Sequence, residues 1–510
     1  MSFSTVLSAS IQGLKVEFVH VEADVSNGLP AFHMVGYLSS EVKEAAERVR
    51  TAIRNSGLDY PARKTVVNLS PATMRKRGAA FDLPIAVSIL ISLGELPQES
   101  TEGMLLIGEL GLDGSVQKVP GILPIVLEAR SAGIRSCIVP KDNAAEGALA
   151  EGMSVVGVKN LEEVFCYLAG QLHLEAQPYP ERGGGSKKEE LLDYSDIQGQ
   201  ESVKRAVEVA VAGGHNLLLV GPPGSGKSMT AKRIPGILPP LTMEESMEIT
   251  KIYSIMGLVE NEAPLIRQRP FRSVHHTATR AALIGGGLMP VPGEISLAHG
   301  GVLFLDELPE FQKSVLEVLR QPLEEHRIRI SRSHGSYIFP ANFMLVSAMN
   351  PCPCGCYPDI ERCTCTPGQI QHYLGKISQP FLDRIDICAE APKVKYESLK
   401  NRKKQESSAE IRERVCRARE IQNRRYVGTT ITSNALLEVK ELDTYCRLGR
   451  QESKLMEQAY SALRLTARTY HKILKVSRTI ADLEGSEKIE EKHIKEAIGY
   501  RTMDKKYWGR

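Results

Sequence analysis

The sequence predicts an α/β protein in three parts: a mixed α+β N-terminal domain, a central α/β domain with a parallel sheet around a glycine-rich loop, and a C-terminal helical lid. Three observations carry this. The loop GPPGSGKS (221–228) follows the apolar run NLLLV (216–220). A second apolar run, VLFL (302–305), leads straight into Asp306 and Glu307. Beyond about residue 408 strand patterns give way to apolar residues spaced by three and four, the period of an amphipathic helix.

With 510 residues the chain has room for about three domains of ~100–200 residues. Apolar residues make up 42% and charged residues 25%, ordinary for a globular protein, and at 5% aromatics the cores must be mainly aliphatic. A formal charge of +3 neither demands nor excludes a polyanionic partner. The start, MSFSTVLSASIQGLKVEF, lacks the basic and apolar regions of a signal peptide, and no run approaches the ~20 apolar residues of a membrane span. A cytoplasmic location is expected, where the ten cysteines stay reduced and a cluster among them points to metal before disulfides.

Residues 1–173 mix short strands and helices. TVVNLS (65–70) and SCIVP (136–140) read as buried strands, and SEVKEAAERVRTAIRNSG (40–57) as one helix capped by Ser40 and stopped by Gly57. A linker is expected over 174–192, where AQPYPERGGGSKKEE cannot build a core. The central domain runs over 193–395, opening with the helix ESVKRAVEVAVAGG (201–214), and the lid over 396–510.

The loop fits G-x-x-x-x-G-K-[ST] throughout, between a strand and a helix as the motif requires. Gly221, Pro222, Pro223, Gly224, Ser225, Gly226, Lys227 and Ser228 are thus the ATP-binding candidates. Backbone N–H groups converge on phosphate oxygens, Lys227 reaches the β- and γ-phosphates, and Ser228 offers a hydroxyl to Mg²⁺. Asp306 and Glu307 leave the carboxyl end of a strand, the edge where open parallel sheets bind ligands. There Asp306 would hold Mg²⁺ and Glu307 would act as general base. A third apolar strand, MLVSAMN (344–350), ends in Asn350, which either orients the lytic water or makes an Asn-Pro turn. Lys227 and Asp306 lie too far apart for one helix and one strand, so 271–296, with its three consecutive glycines, is expected to project as a hairpin or loop. The adjacent His275 and His276, with no carboxylate near them in sequence, read as structural.

These pieces together resemble the magnesium-chelatase-like AAA+ family and, within it, the ComM/YifB branch. The likeness covers nearly the whole chain, through VHHTATRAALIGGG, PGEISLAHGGVLFLDELPEF, NPCPCG, QPFLDRIDI and KVSRTIADLEG. It implies a homo-hexameric ring with ATP between subunits. In FLDRID it implies that Arg384 is an arginine finger, and in the lid it offers Arg468, or else Arg478, as the sensor arginine. It also implies a helicase or branch-migration role on single-stranded or branched DNA in natural transformation. The chain's own support for DNA is modest: residues 395–425 hold eleven Lys/Arg against five Asp/Glu, which a solvated helix face would also explain.

CPCGCYPDIERCTC (352–365) carries half the cysteines. Cys352, Cys354, Cys363 and Cys365 form two Cys-x-Cys pairs suited to structural zinc, although the spacing departs from the commoner Cys-x₂-Cys. The alternatives are structural thiols and redox sensing. Cys356 stands outside the four that the resemblance implies.

The N-terminal domain resembles the proteolytic domain of Lon, through IGELGLDGSVQKVPGI (107–122) and ARSAGIRSCIVPKDN (129–143). The positions matching the Lon serine and lysine hold Ala80 and Leu123, neither of which can serve as nucleophile or base. Ser70, Lys118 and Lys141 are the other residues of those types nearby. Protease activity is therefore not expected. Two rivals to a DNA motor stay open: a protein-remodelling unfoldase and a magnesium-chelatase-type subunit.

Overall fold

The computed structural model describes residues 3–180, 192–332, 335–393 and 404–508. The N-terminal sheet has seven strands in the order Ala31–Val35, Lys64–Ser70, Lys15–Ser26, Phe3–Gln12, Met104–Leu106, Ser136–Pro140 and Ser154–Val158. The long hairpin of Phe3–Gln12 and Lys15–Ser26 is antiparallel, and the strands from Met104 onward run parallel. The helix Asp82–Leu93 is buried almost all round against that hairpin, so its sequence reads apolar on every side. The helix expected over 40–57 is broken at Glu44 into Ser40–Lys43 and Ala45–Asn55, and the cap is Ser39. Gly57 does end it, at a φ of 74°. Most of the expected linker lies outside the described residues.

The central sheet is wholly parallel, ordered Phe271–Val274, Val302–Leu305, Met344–Met349, Leu217–Val220 and Ile387–Glu390. The middle strands are buried on both faces, which explains their unbroken apolar runs. The segment 271–296 differs in part from expectation. Its first residues form the edge strand of the main sheet, and only Gly285–Gly286 with Val291–Pro292 makes a small hairpin. A larger hairpin pairs Arg327–Arg332 with Gly335–Pro340.

The lid contains the helices Ser408–Arg425, Arg450–Leu463, Ala467–Leu483 and Glu491–Gly499. It shares one core with the helix Glu201–Gly213. A buried polar network crosses that seam. Asp386, at the foot of the sheet, pairs with Lys472 of the lid at 3.0 Å, and His215 bonds Thr479 at 2.8 Å. Burial works to raise Asp386, but Lys472, His215 and the Asn216 N–H outweigh it and hold the carboxyl well below the usual range. No helix among the described residues is long and apolar enough to cross a membrane.

Candidate active site

The strand Leu217–Val220 delivers the glycine-rich loop to the carboxyl edge of the sheet. Gly224 and Gly226 take φ values of 73° and 85°, a region open to glycine at little cost. Lys227 turns back into the loop, donating to the carbonyls of Gly221 at 2.7 Å and Pro222 at 2.9 Å and to Asn350 Oδ1 at 3.1 Å. Burial pushes its ammonium down while Asp306 pulls it partly back. Ser228 Oγ donates to Asp306 Oδ2 at 2.6 Å, so a hydroxyl and a carboxylate from distant segments converge on one point. Two hard oxygens at the mouth of a phosphate loop are the donor set Mg²⁺ prefers.

Glu307 adopts a left-handed backbone (φ 52°), unusual for a residue with a side chain and found mostly where function requires it. Its carboxylate is exposed and lies 3.4 Å from His276 Nδ1. No carboxylate stands near His276 in the sequence, but the fold brings Glu307 beside it. The partner comes from the neighbouring strand, which sequence distance hides. His275 bonds Thr277 Oγ1 at 2.9 Å and stays local.

Asn350 leads directly into the cysteine loop, which packs on the phosphate loop: a Cβ on Gly355 would lie 2.2 Å from Pro223. The sulfurs of Cys352, Cys354, Cys363 and Cys365 all lie within 4.8 Å of one another. Three of the separations are 3.4, 3.8 and 3.6 Å. Tetrahedral zinc with ~2.3 Å bonds to sulfur needs about 3.8 Å between ligands, so the four fit the ion. The Cys356 N–H and other local donors pull Cys354 down to about 5. At Cys363 the Cys365 N–H works the other way, but desolvation and the Cys354 and Cys352 thiols prevail and push it up to about 12. Thiols crowded so that one ionises at its neighbours' expense are relieved by a divalent cation. Cys356 is apart from the four, its thiol facing the Cys354 carbonyl. A cavity of about 800 Å³ separates this loop from the acidic strand, lined by Glu307, Asn350, Cys354, Gln369, His372 and Lys376.

Arg384 lies elsewhere. It precedes the strand Ile387–Glu390, whose register pairs Ile387 with Leu217 and Glu390 with Val220, so it belongs to the amino edge of the sheet. Its guanidinium is buried, donating to the carbonyls of Arg320 and Pro380 and to Glu324 Oε1. Arg468 comes from the lid to the same Glu324. Arg478, the alternative lid arginine, is buried on Asp482 and the carbonyls of Ser486 and Glu487, a structural tie within the lid.

Comparison with known proteins agrees with this architecture. The family model "Magnesium chelatase, subunit ChlI" matches residues 193–399, "Subunit ChlI of Mg-chelatase" 21–143, and the ChlI C-terminal model 405–501. The chain is 44% identical to the competence protein ComM of Haemophilus influenzae over 99% of its own length and 98% of that protein. It is 43% identical to YifB of Escherichia coli with the same coverage. The chain belongs to the magnesium-chelatase-like AAA+ family, in its ComM/YifB branch.

The N-terminal part of this family member has a partial likeness to Lon. The Lon protease of Trichlorobacter lovleyi is 25% identical over 34% of this chain and 22% of its own length. Ala80 packs at the margin of an apolar cluster, and Leu123 is fully buried with Leu149 and Leu265, the last from the central domain. Lys118 donates to the Val259 carbonyl at 2.6 Å, and Gly121 N–H to Ser254 O at 2.9 Å. The stretch 118–123 is thus a docking surface against the helix Met243–Ile255 and the turn after it. Lys141 is exposed, and Ser70 ends the strand Lys64–Ser70.

Proposed function

We propose that this chain is an ATP hydrolase that works as a homo-hexameric ring, binds ATP between neighbouring subunits, and drives single-stranded or branched DNA through the ring. Its setting would be helicase or branch-migration work on incoming DNA in natural transformation. The observation that carries the reading is the division of polar groups between the two edges of one sheet.

At the carboxyl edge the loop 221–228 cradles the phosphates and Lys227 exchanges its carbonyl partners for phosphate oxygens. Ser228 and Asp306 would hold Mg²⁺, which when bound neutralises charge on the phosphates. Glu307 takes the proton of the attacking water, and Asn350, on Lys227, orients that water. At the amino edge, Arg384 is cut off from this site by four strand residues of ~3.3 Å each, more than ~10 Å of sheet. A guanidinium there serves the nucleotide of the next subunit, stabilising charge on the transferring phosphoryl group. Arg468, beside it, is the second cation on that face. The four thiolates would hold zinc in a closed, structural site.

Support for DNA comes from the hairpin Arg327–Arg332/Gly335–Pro340. Arg327, Arg329 and Arg332 are exposed while Ile328 and Ile330 turn inward, so one strand presents cations to solvent. The stretch 395–425 supports it less. Residues 394–403 lie outside the described residues, and Arg414, Arg419 and Arg425 are tied to Glu208, the Val211 carbonyl and Asp482.

The test is ATPase rate with single-stranded, duplex and branched DNA across a salt titration. Salt-sensitive stimulation by DNA is expected, because phosphate contacts release counterions. Robust turnover indifferent to every DNA but raised by unfolded protein would move the assignment to protein remodelling.

A further inference from the structure

Glu324 occupies a position that neither edge of the sheet explains by itself. It lies in the short helix Pro322–Glu325, is half-exposed, and accepts on one atom, Oε1, from two guanidiniums: Arg384 Nη2 at 2.7 Å and Arg468 Nη2 at 2.7 Å. Arg384 is anchored to the core by two carbonyls, whereas Arg468 rides on the lid helix Ala467–Leu483. The carboxylate therefore joins a buried cation of the core to a half-exposed one carried by the lid. Without it two like charges would face each other across a short gap, and repulsion would splay the exposed Arg468 away. Burial works to raise the Glu324 carboxyl, but the two arginines outweigh it and keep it ionised. Beside it a cleft of about 700 Å³ opens between core and lid, where Glu324 and Glu438 face Lys440, His471 and Lys475.

We propose that Glu324 is a positioning residue for ATP hydrolysis: its single carboxylate oxygen holds Arg384 and Arg468 together on the amino edge, so that lid and core present both cations as one unit to the phosphate of the neighbouring subunit's nucleotide. The phosphate, an acceptor of the same kind, takes over the two N–H groups when the subunits close. This rests on the reading of Arg384 as a finger acting across the interface.

The experiment compares Glu324→Gln, Arg384→Ala and the double variant in the full chain, measuring kcat and KM for ATP, nucleotide binding and sedimentation. Glu324→Gln keeps the shape and removes the charge at a half-exposed site. It should lower kcat by about tenfold, the scale of one hydrogen bond to a charged group, with KM and ring size unchanged. In the double variant it should cost nothing beyond Arg384→Ala. Wild-type turnover in Glu324→Gln beside an inactive Arg384→Ala overturns the role of Glu324 alone, as does a loss that adds fully in the double variant. An active Arg384→Ala overturns instead the finger reading beneath it. Should Glu324→Gln sediment abnormally, Glu324→Asp keeps the charge and shortens the reach; wild-type kcat in that variant together with an additive double variant also overturns the proposal.

Discussion

The carboxyl and amino edges of the central sheet hold polar groups in different ways. At the carboxyl edge Lys227, Ser228, Asp306 and Asn350 bond to one another or to the loop, and each is within eight residues of an apolar strand's end. At the amino edge Arg384, Glu324 and Arg468 meet from three separate segments, one of them in the lid. The first edge is a complete pocket built by one chain around strand ends. The second joins two arginines through one carboxylate with no phosphate loop of its own, and under the proposed function it serves another subunit. The proposed ring would need both, because a site split between subunits lets turnover in one report on its neighbour.

The comparison breaks most visibly at Arg384. Arg384→Ala should keep ATP binding and lose ~10³-fold or more in kcat, the scale of an arginine finger. Doped into wild-type rings, it should silence neighbouring sites; steady-state rates against mixing ratio that stay linear would place its effect in its own subunit. Glu307→Gln should bind ATP and lose ~10²–10³-fold in kcat, as for a missing general base. Pre-steady-state phosphate release is the check, and a wild-type burst would remove Glu307 from the role.

The next effect falls on the seam beneath the amino edge. Asp386→Asn leaves Lys472 without its charge partner and should destabilise lid docking by ~3–5 kcal/mol, read by chemical denaturation. The carboxyl is held below its ordinary value in the fold, so its stabilisation is present above the unfolded value of ~3.9 and fades as pH falls through that range. The gap between wild type and variant should thus begin to narrow below about pH 4 and keep narrowing as pH falls towards the depressed folded value. A gap independent of pH would make the loss one of shape. The smallest effect is at His276. His276→Ala removes the imidazole that lies 3.4 Å from the exposed Glu307 carboxylate and should lower kcat about two- to fivefold at unchanged KM, the scale of an exposed charge contact. A shift in KM alone would assign His276 to nucleotide binding.

Much of the carboxyl edge was legible in the sequence because its chemistry is local. A phosphate loop must follow a strand, and Asp306 must end one, so apolar runs mark both. The four cysteines were legible for the same reason: two close pairs on one loop can meet without help from the rest of the fold. The helix expected over 40–57 failed at Glu44, where periodicity carried the reading through a break that leaves the apolar face in place. The neighbour of His276 was hidden because Glu307 follows a different strand, and Glu324 gave no signal because nothing in PLEEHR distinguishes it from a solvated helix end.

By itself the sequence determined the three-part α/β architecture, the phosphate loop with its acidic strand and the cysteine loop. Each of these depends on residue types at short spacing, which local physics constrains. Only the tertiary structure decided that Arg384 and Arg468 share one carboxylate, that Arg478 is a buried tie, that Glu307 faces His276, and that the stretch around Leu123 docks on the central domain. Those facts are contacts between segments tens to hundreds of residues apart, and such contacts are fixed by packing the whole chain at once.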